Sequence, residues 1–151
     1  MDDYKYMKLA LIEANKAFNK GEVPVGAIIV NDKRIISKAY NKKEKNNCAL
    51  EHAEIIAIKK ASKKLNNWRL CNSTIYVTLE PCPMCASAIR QSRIKKIVYL
   101  FDNKNEYVHD IVDKILSLKD ANIPVEKIKL DISLFNENDL NKLSTFFKTR
   151  R

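Results

Sequence analysis

The part of the sequence that most constrains the fold is residues 73–101, where two apolar runs enclose a short helical pattern. STIYVTL (73–79) and KKIVYLF (95–101) predict buried strands, because each is a short apolar run rich in β-branched and aromatic residues. PMCASAIRQS (83–92) predicts a short helix, with Pro83 suited to its first turn. Strands that alternate with a helix in this way indicate an α/β architecture, in which helices pack against a sheet.

The remainder of the chain predicts further elements of both kinds. The apolar spacing favours helices at residues 3–19, 52–65, 107–120 and 136–149, and strands at residues 23–30, 34–40 and 125–131. Gly21 is expected to end the first helix, and the polar pair Asn31 and Asp32 predicts a hairpin between the first two strands. This order predicts one domain over residues 1–151, with helices packed around a five-stranded mixed sheet.

Composition limits the class of protein. The chain has 151 residues, of which 46% are hydrophobic, so it can bury a core without disulfides. No apolar run reaches the length of a membrane-spanning helix, and no membrane partner is expected. The first residues lack the apolar centre of a signal peptide, so the four cysteines are expected to be reduced thiols in the cytoplasm.

The chain carries a net charge of +10, from 28 Lys and Arg against 18 Asp and Glu. This excess suggests an anionic partner, commonly nucleic acid, although a codon bias towards lysine would produce the same charge. Basic residues cluster within residues 59–69, within residues 90–96 and at the end of the chain, at residues 148–151.

Two cysteines, Cys82 and Cys85, stand at the start of the predicted helix 83–92. Their spacing is found in zinc sites and in thioredoxin-type redox pairs. Residues three apart share one face of a helix, and the positive end of the helix dipole favours the thiolates that zinc requires. No second CxxC follows, so the candidate for a third ligand lies upstream, at His52.

These residues leave two kinds of zinc site open. Three protein ligands and a water form a catalytic site, whereas Cys48, four residues before His52, would close a structural Cys₃His site. Glu54 favours the catalytic site, because a carboxylate beside an activated water can take its proton and pass it on. Cys71 is expected to be a buried small hydrophobic residue rather than a ligand.

The sequence resembles a known family through these motifs. His52-Ala53-Glu54 with Pro81-Cys82-Pro83-Met84-Cys85 matches the H-x-E…P-C-x-x-C signature of the zinc nucleobase deaminases. Further blocks, EVPVGAIIV (22–30), WRL (68–70), LEPCPMC (79–85) and SRI (92–94), are similar to those of the bacterial tRNA-specific adenosine deaminases. The resemblance extends over roughly residues 4–100.

The resemblance implies a three-layer α/β/α, cytidine-deaminase-like fold. The implied reaction is hydrolytic conversion of adenosine to inosine at the wobble position of a tRNA anticodon loop, by a cytoplasmic homodimer with one Zn²⁺ per subunit. His52, Cys82 and Cys85 would bind zinc. An activated water would attack C6 of adenine, while Glu54 would protonate the ring nitrogen and then the departing ammonia.

The resemblance also implies three substrate-binding residues, Asn41, Phe147 and Arg150. Asn41 matches a family asparagine that contacts the target nucleoside, although in another context it would be a turn residue. Phe147 and Arg150 resemble the family's C-terminal helix, which helps to hold the anticodon loop; of Phe146 and Phe147, one is expected to anchor that helix. Trp68, Tyr76 and Tyr99 are expected to pack in the core rather than contact substrate, because they lie in or beside apolar runs. His109 is expected at the surface or in packing.

The chain departs from the family in two places. FDNKNEYVHD (101–110) contains no glycine where the family carries a Gly- and Ala-rich segment against the RNA, and Glu51 stands where the family has a small residue. These departures leave the zinc chemistry intact but bear on the choice of substrate. Two other functions therefore stay open: a deaminase of a free base or nucleoside such as guanine, cytosine or cytidine, and a non-catalytic RNA-binding or structural zinc protein.

Overall fold

The computed structural model describes residues 2–119, 124–141 and 143–149. The helices are α1 (Asp2–Asn19), α2 (Ala53–Leu65), α3 (Pro83–Gln91), α4 (Glu106–Leu116), α5 (Glu137–Leu140) and α6 (Leu143–Thr149), with a 3₁₀ turn at Ile132–Leu134. The strands are β1 (Gly26–Asn31), β2 (Arg34–Tyr40), β3 (Ser73–Leu79), β4 (Lys96–Phe101) and β5 (Glu126–Lys129). Within these residues no helix is both long enough and apolar enough to cross a lipid bilayer.

The five strands form one mixed sheet in the order β2-β1-β3-β4-β5. β1 pairs antiparallel with β2 and β3, whereas β4 lies parallel to both β3 and β5. β1 and β2 form the predicted hairpin, closed by Asp32 and Lys33 with φ of 50° and 61°. Positive φ at both turn residues matches the twist of the flanking strands. The predicted five-stranded mixed sheet is therefore confirmed.

Helices cover both faces of the sheet, as the three-layer prediction requires. Side chains alternate along each strand, so neighbouring residues enter different layers. On one face, Ile28 and Val98 pack with Met7 of α1 and Leu143 of α6. On the other face, a second cluster joins α2, α3 and α4 to the strands and includes Ile29, Ala57, Ile75, Ile89, Ile97 and Val112.

Several predictions of local structure are wrong. The single helix predicted over residues 136–149 is two helices, α5 and α6, because Asn141 takes φ 52° at the end of α5. β1 begins only at Gly26, and Val23 and Val25 instead line a pocket described below. Trp68 does not pack in the core but is 51% exposed, and Cys71 is exposed rather than buried. Tyr76 and Tyr99 are buried in the core, as predicted.

Gly26 lies where α1 crosses β1 without room for a side chain. A Cβ at this position would overlap Ala10 O and lie 2.6 Å from Ala14 N, both main-chain atoms of α1. Because helix main chain cannot give way as a side chain can, Gly26→Ala is expected to lower the free energy of unfolding by about 3 kcal/mol. Urea unfolding of the zinc-loaded protein measures the loss.

Gly21 provides the control for this substitution. It has φ +78°, and a Cβ there would meet no heavy atom within 4 Å. Gly21→Ala is therefore expected to cost only about 1 kcal/mol, from its backbone conformation. Equal losses for the two variants would contradict the close approach of α1 to β1.

Candidate active site

The three predicted metal ligands meet at the ends of two helices. His52 directly precedes α2, Cys82 is the N-cap of α3, and Cys85 lies in the first turn of α3. His52 Nδ1 is 3.7 Å from Cys82 Sγ and 3.4 Å from Cys85 Sγ. One ligand atom from each residue lies within 4.8 Å of the other two. Cys48 is not part of this group in the described residues, which contradicts the closed Cys₃His site.

The chemistry of the donor set fits a zinc ion. A hydrogen bond from Cys85, and a weaker one with His52, lower the pKa of Cys82 to about 4, whereas the bond to Cys82 and burial raise the pKa of Cys85. The lowered pKa favours the thiolate form of Cys82, which is the form that binds a cation. Two sulfurs and an imidazole are the ligands that zinc prefers, with a fourth position left for water.

Glu54 lies in the first turn of α2, beside the ligand group. The residue is 4% exposed, and its burial is the main cause that raises the pKa of its carboxyl to about 7. The negative charge of Cys82 raises this pKa further, while His52 lowers it. A carboxyl group with a pKa near neutrality can both accept and return a proton, as a proton shuttle requires.

Glu54 and the ligands open into a pocket of about 120 Å³. Val23, Val25 and Leu79 supply apolar walls. The pocket also contains polar and charged residues outside the ligand group: Asn41, Lys43, Glu80 and Asn103. A small, mostly apolar cavity with a few convergent polar groups is the usual form of a site for a small ligand or a single base.

Asn41 lies in this pocket, as its predicted contact with the target nucleoside requires. Its side chain is buried, donates to Val23 O at 3.2 Å and accepts from Lys43 N at 3.1 Å. Glu22 holds the same loop from behind, because its two carboxylate oxygens accept from the main-chain N–H groups of residues 44 and 45. The contact between Asn41 and substrate stays a prediction, and the part played by Glu22 was not foreseen.

Of the other two predicted substrate-binding residues, Phe147 does not line this pocket. Phe147 packs on Phe101, with ring centroids 5.1 Å apart, and borders a separate apolar pocket that Lys104 and Leu140 also line. Phe146 contacts Phe18 at 6.3 Å. Phe147 thus packs against the core, and neither ring lines the pocket of Glu54. Arg150 lies outside the described residues.

The two departures from the family differ in their relation to the pocket. Glu51 does not line the pocket; it pairs with Lys59 at 2.8 Å and accepts a hydrogen bond from Asn46. Segment 101–110, by contrast, contributes Asn103 to the pocket, and its His109 contacts Glu80. His109 was expected at the surface or in packing; its link to a residue of the pocket is a contact that the sequence did not indicate.

A His-Cys-Cys group with a buried glutamate, set at the ends of helices in an α/β/α fold, is the arrangement of the zinc-dependent nucleobase deaminases. The sequence profile of the MafB19-like deaminases matches residues 1–151. A structure from a study of A-to-I editing by tRNA:A34 deaminases is similar to this chain, with a TM-score of 0.74, 31% identity and coverage of 86% of this chain and 100% of the other.

Named relatives point to a particular family within this class. The tRNA-specific adenosine deaminase of Buchnera aphidicola subsp. Schizaphis graminum is 39% identical over 99% of this chain and 96% of its own. The enzyme of that name from Bacillus subtilis is 50% identical over 68% of this chain. The chain belongs to the family of tRNA-specific adenosine deaminases.

The length of the match differs among relatives. The aligned region covers 64% of the Bacillus subtilis protein and 8% of the chloroplastic tRNA(adenine(34)) deaminase of Arabidopsis thaliana. A guanine deaminase from Bacillus subtilis also shares the fold, with a TM-score of 0.65 and 30% identity over 97% of this chain and 92% of its own. Because deaminases of tRNA and of guanine share this fold, the fold alone does not identify the substrate, and the residues of the pocket must be considered.

Proposed function

We propose that this chain converts adenosine to inosine at the wobble position of a tRNA anticodon, with His52, Cys82 and Cys85 as ligands of one zinc ion and Glu54 as proton shuttle. The observation that carries the proposal is the position of Glu54, which is buried in the same small pocket as the three-ligand group. The named relatives support tRNA adenosine as the substrate.

Zinc, when bound, acts as a Lewis acid that lowers the pKa of water to about 7. The chain's own residues supply the remaining chemistry. Glu54 takes one proton from the attacking water and delivers it to the ring nitrogen of adenine. It then takes the second proton of that water and passes it to the departing amino group. The sum is adenosine plus water giving inosine plus ammonia. Val23, Val25 and Leu79 exclude bulk water around the base, and Asn41 orients the nucleoside.

The proposed partner is the anticodon loop, bound by a homodimer in the cytoplasm. A base must leave its stack to enter a pocket of this size, and loop bases do so at lower cost than duplex bases. The net charge of +10 supports an RNA partner over a neutral free base. The guanine deaminase match and the divergent segment 101–110 support a free-base substrate as the alternative.

Binding of an anticodon stem-loop is expected to depend strongly on salt. Contacts between Lys or Arg and phosphates release counterions, so affinity should fall at least about tenfold between roughly 50 and 200 mM salt. Fluorescence anisotropy with the Glu54→Gln variant would measure binding without turnover. Free guanine and free adenosine serve as controls, because neither carries a phosphate. Salt-independent binding of the stem-loop would contradict the proposed RNA partner.

A further inference from the structure

Resting on the proposed deamination, we infer that Glu80, held by His109 and Lys127, is a positioning residue that fixes Asn103 at the wall of the substrate pocket. Glu80 follows β3 and stands two residues before Cys82. The side chain of Glu80 is 0% exposed, although glutamate is among the residue types that are rarely fully buried. A carboxylate buried in this way requires partners that satisfy both of its oxygens.

Each carboxylate oxygen of Glu80 has a different task. The main-chain N–H of Asn103 donates to Oε1 at 3.1 Å. Lys127 Nζ donates to Oε2 at 2.5 Å, and His109 Nδ1 lies 2.5 Å from the same oxygen. Charged hydrogen bonds are roughly twice as strong as neutral ones, so the contacts at Oε2 fix the side chain that holds Asn103.

The four charged or titratable groups form a closed ring. Lys127 extends from β5 and also contacts Asp113 Oδ1 at 2.5 Å, and His109 Nε2 lies 3.2 Å from Asp113 Oδ2. The side chain of Lys127 is 11% exposed, so solvent screens its pairing with Glu80 weakly. The ring joins the end of β3, α4 and β5, and thus ties three elements together at the pocket.

This ring is not a second metal site. Glu80, His109 and Asp113 do offer three ligand atoms within 4.8 Å of one another. The ammonium of Lys127, however, contacts both carboxylates and takes the place that a cation would need. The group therefore acts as an ion-pair network that fixes the position of the Glu80 side chain.

The network attaches the divergent segment to the pocket at two points. Asn103 near its start and His109 near its end both bind Glu80. Both Glu80 and Asn103 line the pocket of Glu54. Because segment 101–110 lacks glycine and is bound to Glu80 at two points, we expect its part of the pocket wall to be in place before substrate binds. Such a wall binds the ground state and the transition state alike, so its loss should raise KM and leave kcat nearly unchanged.

The test uses zinc-loaded Glu80→Gln, because an amide has one acceptor oxygen and cannot serve both Asn103 N–H and Lys127. Exchange of the Asn103 amide, followed by NMR without substrate, is expected to become roughly tenfold faster. With the anticodon stem-loop, KM is expected to rise roughly tenfold, with kcat changed less than about threefold and zinc content unchanged. In the double variant Glu80→Gln/Lys127→Met the opposing ammonium is absent, so both effects should largely reverse.

Lys129→Met is the matched control. Lys129 lies two residues further along β5 and pairs with Asp102 at 2.6 Å on the surface, without contacting Glu80. This variant should leave Asn103 exchange and KM unchanged. If Glu80→Gln loses zinc or fails to fold, the single variant Lys127→Met tests the assignment instead. The same two quantities are measured: exchange of the Asn103 amide and KM for the stem-loop.

Two results would overturn the assignment: unchanged exchange of Asn103 in both the Glu80 and the Lys127 variants, or a fall in kcat with KM unchanged. The exchange measurement needs no substrate. It therefore decides the position of Asn103 even if the stem-loop proves not to be the substrate.

Discussion

Replacement of Glu54 by glutamine is expected to slow deamination by about 10²–10⁴-fold while zinc stays bound. Glu54 lies in the first turn of α2 beside the ligand group, in a pocket shared with His52 and Cys82. Glutamine keeps the shape and the burial of this side chain but can neither accept nor return the proton. Inosine formed in an anticodon stem-loop, counted per bound zinc, measures the effect.

Glu51→Gln provides the control for this variant. Glu51 is three residues earlier, carries the same charge, and pairs with Lys59 outside the pocket. Its replacement should leave the rate within about twofold of the parent, because a surface ion pair contributes little. A Glu54→Gln protein that turns over at the parent rate would show that another group moves the proton.

Cys82→Ser is expected to weaken zinc binding by at least about 100-fold, because the loss of a ligand should exceed the 10–100-fold effect of changing a residue that merely supports one. Deamination should fall with the zinc content. Stability should fall too, since zinc bound to the native state contributes to folding. Metal analysis after dialysis, combined with thermal unfolding with and without added zinc, measures both losses.

Cys71→Ser separates loss of a ligand from loss of any thiol. Cys71 is exposed and is not among the three residues that group around His52. Its replacement should leave zinc content and activity unchanged. Retention of one zinc per chain by the Cys82→Ser protein would contradict the assigned ligand set, and Cys48 would then be the next residue to test.

The grouping of His52, Cys82 and Cys85 could be predicted from the sequence because each of these residues belongs to a local pattern. Cys82 and Cys85 share the start of one helix, and His52 with Glu54 opens another. The sheet was predictable for the same reason, since its strands are short apolar runs bounded by turn residues. Local patterns of this kind carry the two periods, 2 and 3.6, that distinguish strands from helices.

The residues that support the pocket could not be predicted, because their partners are distant in sequence. Glu80 meets Lys127 across 47 positions, and Glu22 meets residue 44 across 22. The residues around Glu80 in the sequence do not predict that its carboxylate is buried. Its partner Lys127 reaches it only because β5 pairs with β4 in the folded chain. Both glutamates accept hydrogen bonds from main-chain N–H groups of loops at the pocket. No fixed spacing in the sequence marks a residue with this role.

The solvent exposure of residues in the loops between helices and strands was equally hard to predict. Trp68 lies two residues before Leu70 and was expected in the core, yet it is exposed, and Arg69 and Arg93 place their guanidinium groups 4.3 and 5.3 Å from its ring centroid. These cation–π contacts cover an aromatic ring without burying it in apolar surroundings. The broken C-terminal helix likewise depends on one left-handed residue, Asn141, rather than on the apolar spacing.

The most direct test of the proposed function is an inosine assay on a stem-loop that carries adenosine at the wobble position, run in parallel with free guanine, cytosine, adenosine and cytidine. Inosine at the wobble position, absent with Glu54→Gln and with no ammonia from the free compounds, is the predicted result. Ammonia from a free base or nucleoside, with the stem-loop unchanged, would contradict the proposal and assign the chain to small-molecule deamination.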